Sequence, residues 1–116
     1  MSKNILVLFM RPPVSSALFV EGLRVSAGML SGDESHKVTV AFLGRGARCA
    51  LQGVDRMYAT KFLEFFPDQG GKKFLVEEES LKEEGIDPSG LASDFAVAKR
   101  AEIGRLMLQA DLCLSF

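Results

Sequence analysis

Four short apolar runs, separated by segments long enough for helices, most restrict how this sequence can fold. The first run, Ile5–Met10, is continuously apolar, which is typical of a strand covered on both faces. The runs predict strands at residues 4–10, 38–43, 73–78 and 111–116, paired in parallel through right-handed crossovers. We therefore expect a single α/β domain over residues 1–116, with three layers and a mainly parallel sheet flanked by helices.

Capping residues and helical spacing place helices between these runs. Ser15 or Ser16 can cap a first helix that ends near Gly32. A short helix over Ala47–Gln52 is expected after a glycine-containing turn, and a further helix over Tyr58–Phe66.

The last helix is expected to begin at Ser93 or Asp94, either of which can act as its cap. Apolar and small residues then recur at helical spacing. They predict one helix face, which carries Val97, Ala101, Gly104 and Leu108.

Composition excludes several classes of protein. The chain has 116 residues, 47% of them hydrophobic and 25% charged, which fits an ordinary globular protein. Its net charge of −1 gives no long-range attraction to nucleic acid or to an anionic membrane, and no apolar run is long enough to span a bilayer. Two cysteines make no disulfide framework, so we expect a cytoplasmic protein with free thiols, Cys113 lying in the core.

Three loops are expected at the carboxyl edge of the sheet, where ligands of such folds bind. The loop that begins at Glu77 contains Glu77, Glu78 and Glu79, which predict either a general base or metal ligand, or a solvated acidic turn at a helix N-terminus. We favour the turn and expect no metal, because the only histidine, His36, precedes the second strand at the opposite edge.

The other two loops carry cations and a thiol. A small anion could bind the side chains of Arg11, Ser15, Ser16, Arg45 and Arg48. The alternative, which we favour, is that these arginines pair with the carboxylates at 77–79 or with a neighbouring subunit.

Cys49 lies beside Arg48 near a predicted helix N-terminus, which would lower the pKa of its thiol and make it reactive. The alternative is a small buried apolar side chain, which is the commoner role. Aromatic residues at helical spacing predict either core packing or a contact between subunits, and they are Tyr58, Phe62, Phe65 and Phe66.

The segment Lys73–Ile86, KFLVEEESLKEEGI, is a strand, a turn, a short helix and a Gly-Ile pair. Together with the opening strand, the glycine-containing turn after the second strand and the closing Ala-Asp-apolar run, this segment resembles the DsrE/DsrF-like family of sulfur-relay subunits. The resemblance implies a persulfide-forming cysteine at the end of this strand, eight residues before the glycine. Here Glu77 stands eight residues before Gly85.

The resemblance implies a homo-oligomer without a cofactor, whose partners are other sulfur-relay proteins. Because a carboxylate cannot accept sulfur, we expect a non-catalytic scaffold or partner in sulfur transfer. One alternative is a protein that binds a small anion through Arg11, Arg45 and Arg48. Another is a sulfurtransferase that uses Cys49.

Overall fold

Five parallel strands form one sheet in the computed structural model, which describes residues 3–12, 22, 24–26, 37–53 and 74–116. The strand order is β4-β3-β2-β1-β5, and every pairing between neighbours is parallel. The strands are β1 (Asn4–Phe9), β2 (Lys37–Phe42), β3 (Phe74–Glu77), β4 (Phe95–Ala98) and β5 (Leu112–Ser115). The four strands predicted from the apolar runs are confirmed, with each end within one residue of its predicted position.

Residues 22 and 24–26, between β1 and β2, are helical. The other helical segments described are α1 (Glu78–Glu83), α2 (Arg100–Gln109) and the 3₁₀ segments Gly44–Ala50 and Pro88–Gly90. The end of α1 follows from its sequence. Gly85 adopts a left-handed φ of 68°, which glycine tolerates without strain. The amide of Ile86 then donates to the carbonyl of Leu81 at 2.8 Å, and the amide of Gly85 to that of Lys82 at 3.2 Å. This pattern of bonds closes the helix as a Schellman motif.

The helix predicted to begin at Ser93 or Asp94 is wrong in its first part, because residues 95–98 form β4. Phe95 explains the strand, because its ring packs in the core. The ring centroid of Phe95 lies 5.2 Å from that of Phe42 and 5.3 Å from that of Phe74. The helix begins only at Arg100. The predicted apolar face is also wrong, since Leu108 is 89% exposed and the buried residue of α2 is Ile103.

The short helix expected at Ala47–Gln52 is instead a 3₁₀ segment over Gly44–Ala50. Its position is fixed by a close approach to the end of β1. A Cβ atom on Gly46 would lie 2.0 Å from the carbonyl oxygen of Phe9, so only glycine fits there. The segment packs Ala47, Cys49 and Ala50 onto the sheet, with none of their surface exposed.

The core lies on both faces of the sheet. One face packs aromatic and branched residues against the 3₁₀ segment and α1, through Phe9, Phe42, Phe74, Phe95 and Leu81. The other face packs smaller residues against Ile103 of α2, and these are Leu6, Leu8, Ala41, Leu43 and Ala98. Strands β1 to β4 advance in one direction and β5 returns beyond β1. Right-handed crossovers therefore put α1 and α2 on opposite faces.

Cys113 is exposed, and its predicted place in the core is wrong. The reason is topological. It belongs to β5, an edge strand that pairs only with β1 among the described strands.

Several predictions fall outside the described residues. They concern the caps Ser15 and Ser16, His36, and the aromatic cluster of Tyr58, Phe62, Phe65 and Phe66. Within the described ranges, none of the helices has the length and apolar character needed to cross a membrane.

Candidate functional site

The carboxyl ends of β2, β3 and β4 bring three residues together at one edge of the sheet. Gly44 follows β2, Glu77 is the last residue of β3, and Arg100 begins the helix after β4. The hydroxyl of Ser80, in the first turn of α1, joins the first two. This edge is where an open parallel sheet offers a binding crevice.

Glu77 is a buried carboxylate, with 5% of its surface exposed. One of its oxygens, Oε1, accepts two hydrogen bonds: from Ser80 Oγ at 2.5 Å and from Arg100 Nη2 at 2.9 Å. Both distances are typical of charge-assisted bonds to an ionised carboxylate. Glu77 is therefore more buried than a residue of the solvated acidic turn that the sequence predicted. Glu78 and Glu79 do lie in the first turn of α1, as that prediction requires.

Ser80 connects the end of β2 to the end of β3 through two hydrogen bonds. Its Oγ accepts the amide proton of Gly44 at 2.7 Å, so its single hydroxyl proton is directed to Glu77. Ser80 is completely buried, and the described structure leaves no buried side-chain polar atom without a partner.

Arg100 also contacts two other glutamates, Glu83 and Glu79, in addition to its bond with Glu77. The same Nη2 atom also donates to Glu83 Oε1 at 3.0 Å, on α1. Its backbone amide donates to both carboxylate oxygens of Glu79, at 3.0 and 3.2 Å. Glu79 thereby caps the N-terminus of α2, where Lys99 provides no side-chain cap of its own. The Arg100 side chain still has 55% of its surface exposed.

The charges of this cluster fix the ionisation of Glu77. Burial acts to raise the pKa of its carboxyl group, but the hydrogen bonds from Arg100 and Ser80 and the charge of Arg100 together outweigh it. The pKa of Glu77 therefore lies below its ordinary value. The hydrogen bonds to Glu77 and Glu83 raise the pKa of Arg100, so both groups stay charged at neutral pH.

Cys49 lies inside the core, with none of its surface exposed. Its thiol donates a weak hydrogen bond to the backbone carbonyl of Arg11, at an S···O distance of 3.7 Å. This is the buried position of the two alternatives considered from the sequence. A thiol enclosed in this way is typically inert.

The three candidate arginines follow the ends of β1 and β2. Arg48 donates to Glu84 at 2.7 Å, an ion pair at the surface, whereas the expected partners were the carboxylates at 77–79. Arg11 and Arg45 are exposed at the ends of β1 and β2. Among the described residues, no group of three potential metal ligands is arranged to hold an ion.

Arg100 is the site residue that the sequence did not reveal. Its placement depends on β4, and that strand was taken as the beginning of a helix. The signal was present: a cation directly after a short apolar segment, in a chain whose other apolar segments end at the same edge.

Comparison with known proteins establishes the fold. No protein-family model matches the sequence, and no curated protein matches it. The crystal structure of the YchN protein from E. coli matches with a TM-score of 0.77, over 100% of both chains. The fold is DsrE-like. The sequence identity to YchN is 19%, so this similarity shows the fold alone.

Proposed function

We propose that this chain is a DsrE-like protein of intracellular sulfur transfer, acting as a scaffold or partner without carrying sulfur itself. One observation carries the proposal: the end of β3 holds Glu77, buried and engaged by Ser80 and Arg100. The resemblance implies a persulfide-forming cysteine at that position. Sulfur relay requires a thiolate nucleophile, and a carboxylate held by two donors offers none.

The two thiols of the chain support the same proposal. Cys49 has no exposed surface from which to attack a sulfur donor. Cys113 is exposed, but it lies on β5, and two strands, β1 and β2, separate β5 from the end of β3.

The test is to offer the protein sulfane sulfur from a cysteine desulfurase and to measure the intact mass. Native protein, Cys49→Ser and Cys113→Ser are compared, with a competent persulfide acceptor as positive control. We expect no adduct that depends on Cys49. An adduct that persists in Cys113→Ser and disappears in Cys49→Ser would make the chain a carrier and overturn the proposal.

An adduct on the exposed Cys113 needs one more measurement, which is its delivery to an acceptor thiol. A Cys113 adduct that is not delivered reflects the reactivity of any surface thiol, and the proposal stands. A Cys113 adduct that is delivered overturns it.

We also propose that the scaffold is a homo-oligomer, as the resemblance implies. Support comes from Leu108, whose side chain projects from α2 with 89% of its surface exposed. A contact with a second copy of the chain would remove this side chain from water, which is favourable. Light scattering on dilute protein tests it: native protein is expected above the monomer mass, and a monomer would refute the proposal. Leu108→Lys should lower the mass if α2 contributes to the contact.

The second candidate function is binding of a small anion. The observation that favours it is the exposure of Arg11 and Arg45 at the same edge of the sheet. Arg48 contributes less, because Glu84 already accepts a bond from its Nε. Titration with sulfate, phosphate and nucleotides tests this candidate. Saturable binding that Arg45→Ala weakens at least tenfold supports it, and weak binding that scales with ionic strength excludes it.

A further inference from the structure

The contacts of Glu77 include more than an ion pair with Arg100, because a second donor binds the same oxygen. Two donors from different elements, Ser80 of α1 and Arg100 of α2, converge on a single oxygen atom. That atom lies where water has almost no access, since Glu77 is 5% exposed. Convergent donors in a dry position are the arrangement by which proteins bind a small anion.

Each donor is fixed by a contact that does not involve Glu77. Ser80 Oγ is held by the amide of Gly44 at 2.7 Å. Arg100 is held through its guanidinium by Glu83 and through its backbone amide by Glu79. Removal of the Glu77 carboxylate therefore leaves both donors in place and directed at the space it occupied.

We propose that the carboxyl edge contains a site for one small monoanion, formed by Ser80 and Arg100, and that the Glu77 carboxylate is its built-in occupant. The ligand class follows from the size and charge of that occupant, and it is a carboxylate of one or two carbons. In the native chain the site is filled, so external anions do not enter it. The proposal rests on the donors alone and is independent of any role in sulfur transfer.

The space left by Glu77→Ala has the dimensions of acetate, because the substitution removes one methylene group and the carboxylate. Arg100, which would bind the acetate, borders solvent with 55% of its side chain exposed. A ligand that binds only the folded state stabilises it by mass action. At an acetate concentration ten times its Kd, the ratio of folded to unfolded protein should therefore rise about tenfold.

The first experiment measures urea unfolding of Glu77→Ala in sodium acetate, formate, benzoate and chloride at equal ionic strength. Acetate and formate should stabilise the variant saturably, whereas benzoate, which is too large, should act like chloride. Native protein and Glu78→Ala, a change at the neighbouring and more exposed carboxylate, should show no preference for acetate. The double variant Glu77→Ala with Ser80→Ala should lose most of the effect.

A second variant keeps the proposal testable if Glu77→Ala does not fold in any of these salts. Glu77→Cys, made in a Cys113→Ser background, puts a thiol beside the same two donors. Thiolate absorbance followed against pH should show ionisation well below the value near 8.5 of an ordinary thiol. Adding Ser80→Ala should move the pKa back upward.

The outcomes separate this inference from the proposed function. A folded Glu77→Ala protein that acetate stabilises no more than chloride does would overturn the inference. When that variant does not fold, an ordinary or raised thiol pKa in Glu77→Cys overturns it. Neither result changes the expectation for sulfur loading of the native protein, which contains Glu77 and not a thiol.

Discussion

Replacement of Ser80 by alanine tests the hydrogen-bond relay at the edge of the sheet. The substitution removes one oxygen and leaves the helix-forming tendency of α1 intact or improved. Two contacts are lost: the bond accepted from the amide of Gly44 and the bond donated to Glu77. Because Ser80 and Glu77 are both buried, water does not replace the bond to the carboxylate.

The cost follows from these two losses. A hydrogen bond to a charged group contributes about 1.5–3 kcal/mol, and a buried donor left without a partner costs about 1–3 kcal/mol. Gly44 is only partly buried, so its amide regains some bonding to water and the smaller end of that range applies. We expect Ser80→Ala to lower the free energy of unfolding by about 2–4 kcal/mol. For a chain of this length, the melting temperature should fall by roughly 8–16 °C.

The dependence on pH gives the prediction its specific signature. The folded pKa of Glu77 is lowered from the ordinary 4.5, so its ionised form stabilises the fold above about pH 4.5, and this stabilisation is lost as the pH falls through the folded pKa. Loss of Ser80 raises the folded pKa of Glu77 towards the unfolded value. The difference between native protein and Ser80→Ala should therefore be largest near neutral pH and should shrink as Glu77 becomes protonated.

Urea unfolding followed by circular dichroism between pH 3 and 7 measures this difference, with a midpoint shift at unchanged slope expected. The matched control is Ser115→Ala, at an exposed serine of β5, which should change stability by less than about 0.5 kcal/mol. If Ser80→Ala is no worse than this control, the relay contributes nothing to stability. A large effect that does not vary with pH would show that the bond to Glu77 is not its source.

Two further pairs of variants test the packing and the charge balance. Gly46→Ala should destabilise the fold by at least about 2 kcal/mol, because the new Cβ meets the backbone oxygen of Phe9 at 2.0 Å. Gly104→Ala should instead stabilise it by about 0.5–1 kcal/mol, since its Cβ enters open space on a helix; equal effects of the two glycine changes in urea unfolding would refute this account. Arg100→Met should be more destabilising at pH 7 than Glu77→Gln, because it leaves a buried carboxylate without its cation, whereas an exposed guanidinium stays hydrated. That excess should diminish in acid, where Glu77 takes up a proton, and a pH-independent excess would contradict it.

Sequence patterns predicted the sheet because its central strands are buried on both faces. Ile5–Met10 is an uninterrupted apolar run, and no helix on the surface of a small protein has that pattern. The segment of β4, Phe-Ala-Val-Ala, was missed for the opposite reason. It has four residues, it is followed after one residue by a helix, and its apolar residues continue the helical spacing of α2. Periodicity alone cannot separate a strand of that length from the first turn of a helix.

The candidate site was only partly predictable for the same reason. Glu77 could be placed because it ends a strand that was recognised. Arg100 could not, since its distance from Glu77 depends on β4 pairing in register beside β3, with Glu77 opposite Ala98. The role of Ser80 depends on a contact with Gly44, 36 residues earlier in the chain. Contacts between distant segments of this kind follow from strand order, which sequence periodicity does not determine.

Glu77 stands where the resemblance to the DsrE/DsrF-like family implies a thiol, and a carboxylate there differs from a thiol in more than the sulfur atom. A thiol can lie buried at little cost in its neutral form, whereas a buried carboxylate requires a cation and hydrogen-bond donors. Glu77 obtains these from Arg100 and Ser80. Its Oε1 atom and the Oγ atom of Ser80 together connect the ends of β2, β3 and β4. A carboxylate at this position offers no thiolate nucleophile, and the single cation of Arg100 contacts the carboxylates of both Glu77 and Glu83. Under the proposed function, an edge held in this way would present a constant surface to a partner, which a scaffold requires and a sulfur carrier does not.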